Sequence, residues 1–286
     1  MSDGSIRQGI DQAALDKYLQ QNLPHIDLPL RLRQFGDGQS NPTYLLISPS
    51  GQRHVLRKQP PGSLLSGSAH RIDREYMVLK ALGSTEVPVP RVLRMCHDAS
   101  VLGTPFYVME FLDGRIITDP LLAEIKEEHR YAMWRNAARV LSKIHSTDIE
   151  AVGLGTFGSR SSFYKRQSKT FTKISTAQQK VKDPSTGTPI ESVPHFKDLV
   201  AFYEDVNHAP VQRTSLVHGD YRIGNLMWHK TEPRVIGVLD WELSTIGHPL
   251  SDVASLIDPY SRYYFGQKAT QHDNPRNDKF GTDGHP

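Results

Sequence analysis

The 286-residue sequence holds a single cysteine, Cys96, so no disulfide can form within the chain. Non-covalent packing must then hold the fold, which suits a reducing compartment such as the cytosol. No apolar run approaches the roughly 20 residues that a membrane-spanning helix needs. Met1 to Ser5 lacks the charged and apolar regions of a secretory signal, and Asp283 to Pro286 matches no carboxyl-terminal address. The formal net charge is only +3, and the Lys and Arg residues are interleaved with acids rather than gathered into a basic stripe. That pattern argues against nucleic acid as a partner and leaves small molecules, anionic ones included. A soluble cytoplasmic protein with no nucleic-acid or membrane partner is the expectation.

What the chain does contain is enough apolar residue, 37% hydrophobic, for a sizeable core in one bilobal unit or two small domains. Its most informative stretch runs His218-Gly219-Asp220-Tyr221-Arg222-Ile223-Gly224-Asn225, followed twenty residues after Asp220 by Asp240 in Val238-Leu239-Asp240-Trp241-Glu242. A hydroxyl that attacks a phosphoryl group needs a carboxylate to orient its proton, and the phosphates need hard oxygen ligands around magnesium. Asp220 fits the first role; Asn225 and Asp240 fit the second. Leu216-Val217, Leu226-Met227-Trp228 and the β-branched run Arg234 to Leu239 read as short strands, with a turn at Glu232-Pro233. Each oxygen ligand is thereby placed at a strand end or in a loop.

Upstream, Leu30 to Phe35 alternates apolar and polar residues, Gly36 to Asn41 turns the chain, and Tyr44 to Ile47 returns. The tip, with Gly38, Ser40 and Asn41, can lay backbone amides over phosphates or be an ordinary hairpin turn. Arg53 to Lys58 reads as a strand with Val55 and Arg57 on one face and Lys58 on the other. Between Ser68 and Leu82, Ile72, Tyr76, Leu79 and Leu82 recur at helical spacing, with Glu75 on or beside that face. Asp11 to Leu23 suggests an initial amphipathic helix, and Thr104 to Leu112 an apolar strand ending at the turn Asp113-Gly114. Asp119 to His145 reads as one or two long helices. Residues 153–194, rich in Gly, Ser, Thr, Lys and Pro, read as an insertion or substrate loop with a helix around Tyr164 to Val181.

These phrases carry a resemblance. Gly38-Gln39-Ser40-Asn41-Pro42-Thr43-Tyr44, His54-Val55-Leu56-Arg57-Lys58 with Pro60-Pro61-Gly62, Ser68-Ala69-His70 with Asp73-Arg74-Glu75-Tyr76, and the block through Gly247-His248-Pro249-Leu250-Ser251-Asp252 stand in one order over residues 28–260. The chain resembles the aminoglycoside phosphotransferase family of small-molecule kinases, and within it the branch associated with acyl-CoA dehydrogenases. The resemblance implies an α+β, bilobal protein-kinase-like fold. A helical extension would occupy residues 1–27, an antiparallel-sheet N-lobe 28–115, and a mainly helical, truncated C-lobe 116–262. A disordered polar tail would follow at 263–286.

It further implies ATP and Mg2+ as cofactors and a small-molecule hydroxyl as acceptor, a hydroxyacyl-CoA or another alcohol. Arg57 would hold the phosphates in place of the protein-kinase lysine, paired with Glu75. Glu110, Phe111 and Leu112 would line the adenine pocket. Arg222 would stabilise charge on the transferred group, His218 would hold the loop, and Asp252 would brace it from a helix start. The rival readings are a nucleotide-binding pseudokinase or scaffold, if the C-lobe is incomplete, and a metal-dependent phosphohydrolase.

Overall fold

The computed structural model describes residues 9–35, 41–61, 71–182, 186–205, 207–208 and 210–264. Gly38 and Ser40, the segment 62–70, and 265–286 of the expected polar tail lie outside the described residues. No helix among the described residues is long and apolar enough to cross a membrane.

The chain enters through α1 (Gln12–Asn22), started by Asp11, whose side chain accepts the Ala14 amide at 3.0 Å. Next come β1 (Arg31–Gln34), β2 (Thr43–Ile47), β3 (Arg53–Lys58), α2 (Ile72–Leu82), β4 (Val92–Cys96), the short α3 (Ala99–Leu102) and β5 (Phe106–Glu110). The five strands form one antiparallel sheet in the order β1-β2-β3-β5-β4. Strand alternation sorts its side chains into two cores. Leu46, Leu56, Phe106 and Val108 pack with Leu15 and Leu19 of α1 and with Cys96. Val55, Tyr107 and Met109 face the other way, onto Ile72, Val78, Leu79 and Leu82 of α2 and onward into the second lobe. Val55 and Arg57 thus share the inner face, as the sequence predicts.

The second lobe holds β6 (Arg115–Ile116), α4 (Glu127–His145), α5 (Phe163–Gln178), α6 (Phe196–Glu204), β7 (Ser215–Val217), β8 (Leu226–Trp228), β9 (Val235–Val238), β10 (Thr245–Gly247) and α7 (Leu250–Tyr264). Its strands make two small antiparallel sheets, β6-β8-β9 and β10-β7. Met133, Ala137, Val140, Leu141 and Ile144 recur along α4 as one buried stripe against the core that contains Trp228, Val238 and Trp241. The result is the bilobal α+β architecture that the sequence implies.

Three details differ from the sequence reading. Residues 119–126 are not helical. Asp119 folds its carboxylate onto the Leu121 and Ala123 amides, and Leu122 takes a left-handed φ of 54°. The helix α6 arises just beyond the 153–194 segment, where the sequence reading named no element. And α7 continues through Tyr263 and Tyr264, two residues into the stretch read as tail.

Leu19 is fully buried under the outer face of the sheet, far from the acidic residues of the second lobe. Leu19→Ala is expected to cost about 2–5 kcal/mol of unfolding free energy, seen in urea titration as a lower midpoint with an unchanged slope.

Candidate active site

The loop after β7 is held from beneath by a buried carboxylate. Asp252, fully buried in the first turn of α7, accepts the His218 amide at 2.9 Å through Oδ2 and the Gly219 amide at 2.8 Å through Oδ1. His145, at the end of α4, places Nε2 3.0 Å from Asp252 Oδ2. Gly219 has φ +89°, and a Cβ there would sit 2.4 Å from the Leu243 carbonyl oxygen, so both its backbone and its surroundings require glycine. His218 is likewise fixed: Nε2 donates to Leu239 O at 2.9 Å and Nδ1 accepts the Asp220 amide at 3.2 Å, with the ring 4.5 Å from that of Trp241. Burial lowers its pKa and outweighs the opposing pull of Asp252, so it is a neutral strut rather than a proton carrier. Beyond it, buried Tyr221 donates its hydroxyl to Ala137 O at 2.8 Å. Anchors on both sides present Asp220 between them.

Asp220 is 36% exposed. Its Oδ2 accepts Asn225 Nδ2 at 2.8 Å and lies 3.2 Å from Arg222 Nε; the same Asn225 nitrogen also reaches Asp220 O at 2.8 Å. The Asn225 amide nitrogen is therefore committed, and its carbonyl oxygen is the atom of that side chain suited to a cation. Asn225 O in turn accepts the Leu239 amide at 2.9 Å, which sets Asn225 beside the strand end carrying Asp240. Asp240 adopts φ 65°, left-handed for a non-glycine residue. An amide oxygen and a carboxylate oxygen form a hard donor set of the kind magnesium takes when phosphates supply further ligands. Among the described residues no three His, Cys, Asp or Glu side chains gather into a ready-made metal cage, in keeping with such a shared site.

On the facing lobe, Arg57 lies in a ring of carboxylates. Its Nε is 2.8 Å from Glu75 Oε2, and its Nη2 is 2.6 Å from Asp240 Oδ1 and 4.0 Å from Glu242 Oε2. Burial works against the guanidinium charge, but Glu75, Tyr107, Asp240 and Glu242 outweigh it and hold the group above its ordinary pKa. Glu75, only 2% exposed, is pushed up by burial to about 7 while Arg57 pulls the other way. Asn41 donates to Glu242 Oε2 at 3.3 Å, so the end of the expected phosphate loop is tied to the second lobe. Lys58 falls on the opposite, Leu56 face, where burial lowers its pKa.

The segment joining the lobes follows β5. Glu110 accepts the Arg91 amide at 2.7 Å through Oε1, so its side chain is committed to β4 and only its main chain and neighbours can meet a ligand. The Phe111 ring lies 4.2 Å beneath the Arg53 guanidinium. Leu112 Cδ1 lies 2.2 Å from where a Cβ on Gly237 would stand, a close approach that glycine allows. A cavity of about 490 Å³ opens on the far side of Asp220, with Thr118, Arg222, Ser255 and Asp258 in its wall. Sequence reading did not single out Thr118, Ser255 or Asp258. Tyr107 and Glu242 carried no motif signal for a role around Arg57, since the first reads as part of an apolar strand.

Two predictions follow from this geometry. Gly219→Ala should collapse the loop, because the clash is with backbone that cannot step aside; soluble yield and melting temperature are the readouts. Glu75 holds its proton up to about pH 7 in the fold but only to about 4.5 when exposed. Its contribution to stability is thus complete below pH 4.5 and is lost as pH rises to about 7. Glu75→Gln should flatten the fall of unfolding free energy across that window, read by urea titration at stepped pH.

The geometry has counterparts in known proteins. The model of the phosphotransferase enzyme family abbreviated APH matches residues 31–277. Acyl-CoA dehydrogenase family member 10 of Mus musculus is 44% identical over 247 residues, which is 86% of this chain and 22% of that protein. Family member 11 of Homo sapiens is 39% identical over 259 residues, 89% of this chain and 31% of that protein. The chain therefore spans less than a third of the length of these curated relatives. Among solved structures, a Ralstonia eutropha protein provisionally assigned to the aminoglycoside phosphotransferases is 38% identical with TM-score 0.75, over 88% of this chain and 71% of that one. The streptomycin–ATP complex of APH(2")-IIa, at 19% identity and TM-score 0.60 over 87% and 76% of the two chains, shares the fold. Motif order, loop geometry and the matched span agree: the chain belongs to the phosphotransferase enzyme family.

Proposed function

We propose that this phosphotransferase moves the terminal phosphoryl group of ATP to a hydroxyl of a small molecule, with Asp220 as the group that orients the attacking oxygen. The observation that carries this reading is the placement of Asp220. It is held by main-chain anchors on both sides, bonded to Asn225, and set at the mouth of the 490 Å³ cavity, with the Arg57 cluster in the opposite lobe.

In this reading Asp220 accepts the hydrogen bond of the acceptor hydroxyl and takes its proton as the new P–O bond forms. Arg222, tethered to the same carboxylate, lies where it meets negative charge on the transferred group. Arg57, oriented by Glu75, receives the phosphate tail, and Asn41, bonded to Glu242, borders it. The main chain from Glu110 to Leu112 and the Phe111 and Leu112 side chains border the base. Asn225 and Asp240 would hold Mg2+, which when bound neutralises phosphate charge. Positioning and electrostatics suffice, with no covalent enzyme intermediate.

The relatives named as acyl-CoA dehydrogenases suggest a hydroxyacyl-CoA as the first acceptor to try, with simpler alcohols as competitors.

The test is ATP-to-ADP conversion across a panel of hydroxyacyl-CoA thioesters, aminoglycosides and simple alcohols. Acceptor-dependent turnover is expected, stopped by EDTA and restored by magnesium. Asp220→Ala should lower kcat by about 10²–10⁴-fold with Mg-ATP affinity retained. Asp240→Asn should instead raise the magnesium concentration needed. Nucleotide binding without turnover on any acceptor would overturn the proposal.

A further inference from the structure

Arg74 precedes Glu75 on α2, and its side chain runs to the second lobe rather than to the sheet. Nη1 donates to Phe157 O at 2.9 Å, Nη2 reaches Ser244 O at 3.4 Å, and the guanidinium carbon stands 3.9 Å over the Phe157 ring. Phe157 is 5% exposed and part of the main core. Ser244 closes the turn that follows Asp240, through its amide and its hydroxyl on Trp241 O at 3.0 and 2.6 Å. One guanidinium therefore joins α2 to two separate segments of the second lobe, one of them the turn that carries Asp240 and Glu242.

At its start α2 has no side-chain cap, for Arg71 makes no capping bond. Its placement rests on the apolar stripe from Ile72 to Leu82 and on what Arg74 grips. An apolar stripe permits sliding and rolling by an ångström or so, whereas two directional bonds plus a ring contact fix azimuth and height together. Glu75 needs that fixity, because it meets Arg57 at 2.8 Å from the next position on the same helix.

We infer that Arg74 is a positioning residue that locks α2 onto the turn after Asp240, so that the Arg57–Glu75 pair is assembled before any nucleotide arrives. It touches no reacting group and acts through Glu75. Its effect on nucleotide affinity rests on the proposed phosphotransfer; its effect on the pair does not.

The experiment uses the full chain and two readouts. In the nucleotide-free protein, the buried Arg57 guanidinium, between Glu75 and Asp240, should give a slowly exchanging side-chain N–H signal in a proton–nitrogen correlation spectrum, assigned by its loss in Arg57→Lys. Arg74→Lys keeps the charge but cannot grip two carbonyls and stack on a ring. It should remain cooperatively folded yet lose the protection of that signal, and Mg-ATP affinity by calorimetry should fall about tenfold. Phe157→Leu, which removes the ring and leaves the carbonyls, serves as a milder second variant and should weaken protection in the same direction. A protected Arg57 signal in folded Arg74→Lys would overturn the inference, even with a lower melting temperature, since Arg74 would then add only stability. Should the wild-type chain fail to bind Mg-ATP, the phosphotransfer reading fails while the Arg57 signal still decides the role of Arg74.

Discussion

A single guanidinium shared between lobes organises this molecule. Arg57 projects from the central sheet into a pocket where Glu75, Asp240 and Glu242 surround it, and two of those three belong to the opposite lobe. A buried cation without partners is costly, so the lobes are compelled to bring their acids to it. The demand is mutual, because Glu75 is buried and Asp240 places Oδ1 2.6 Å from the Arg57 Nη2. Charge thus joins the shared apolar core in setting how the two halves face each other.

The second lobe solves a different problem, that of holding a catalytic loop whose main-chain amides have no strand to pair with. Asp252 takes two consecutive amides and His218 takes a third, while His218 itself is tied to the strand end at Leu239. Asp252 and His218 are themselves fully buried, where a bond gains strength from the low dielectric and its loss would strand a polar group. These bonds fix the loop from beneath, and Asp220, between Gly219 and the buried Tyr221, is left 36% exposed.

Much of this could be read from residues alone. The spacing of Asp220, Asn225 and Asp240 marked a loop and a strand end that the fold sets side by side, and period-two alternation was enough to put Arg57 and Lys58 on opposite faces. The helical stripe from Ile72 to Leu82 delivered Glu75 to its partner. What escaped depends on distance in sequence or on misleading local pattern. The Asn41–Glu242 contact joins residues 201 apart, and no local rule pairs them. Leu121, Leu122 and Ile125 imitate helical spacing, but Asp119 competes for the amides and folds a turn instead. The helix α6 does carry Phe196, Leu199, Val200 and Tyr203 at helical spacing, although it fully buries none of them, and the sequence reading passed over that signal. The bond from the Arg91 amide to the Glu110 carboxylate was not legible either, since the two residues stand 19 apart.

The left-handed backbone at Asp240 narrows the alphabet available there. Glycine, asparagine and aspartate enter that region cheaply, and other side chains crowd their own carbonyl. Of these three only aspartate brings a full negative charge to a cation, so two unrelated filters, one conformational and one electrostatic, select the same letter. Glutamate, the nearest chemical substitute, fails the first filter before its extra methylene matters. The residue at 240 is therefore constrained twice over, by the backbone it must adopt and by the guanidinium it must face.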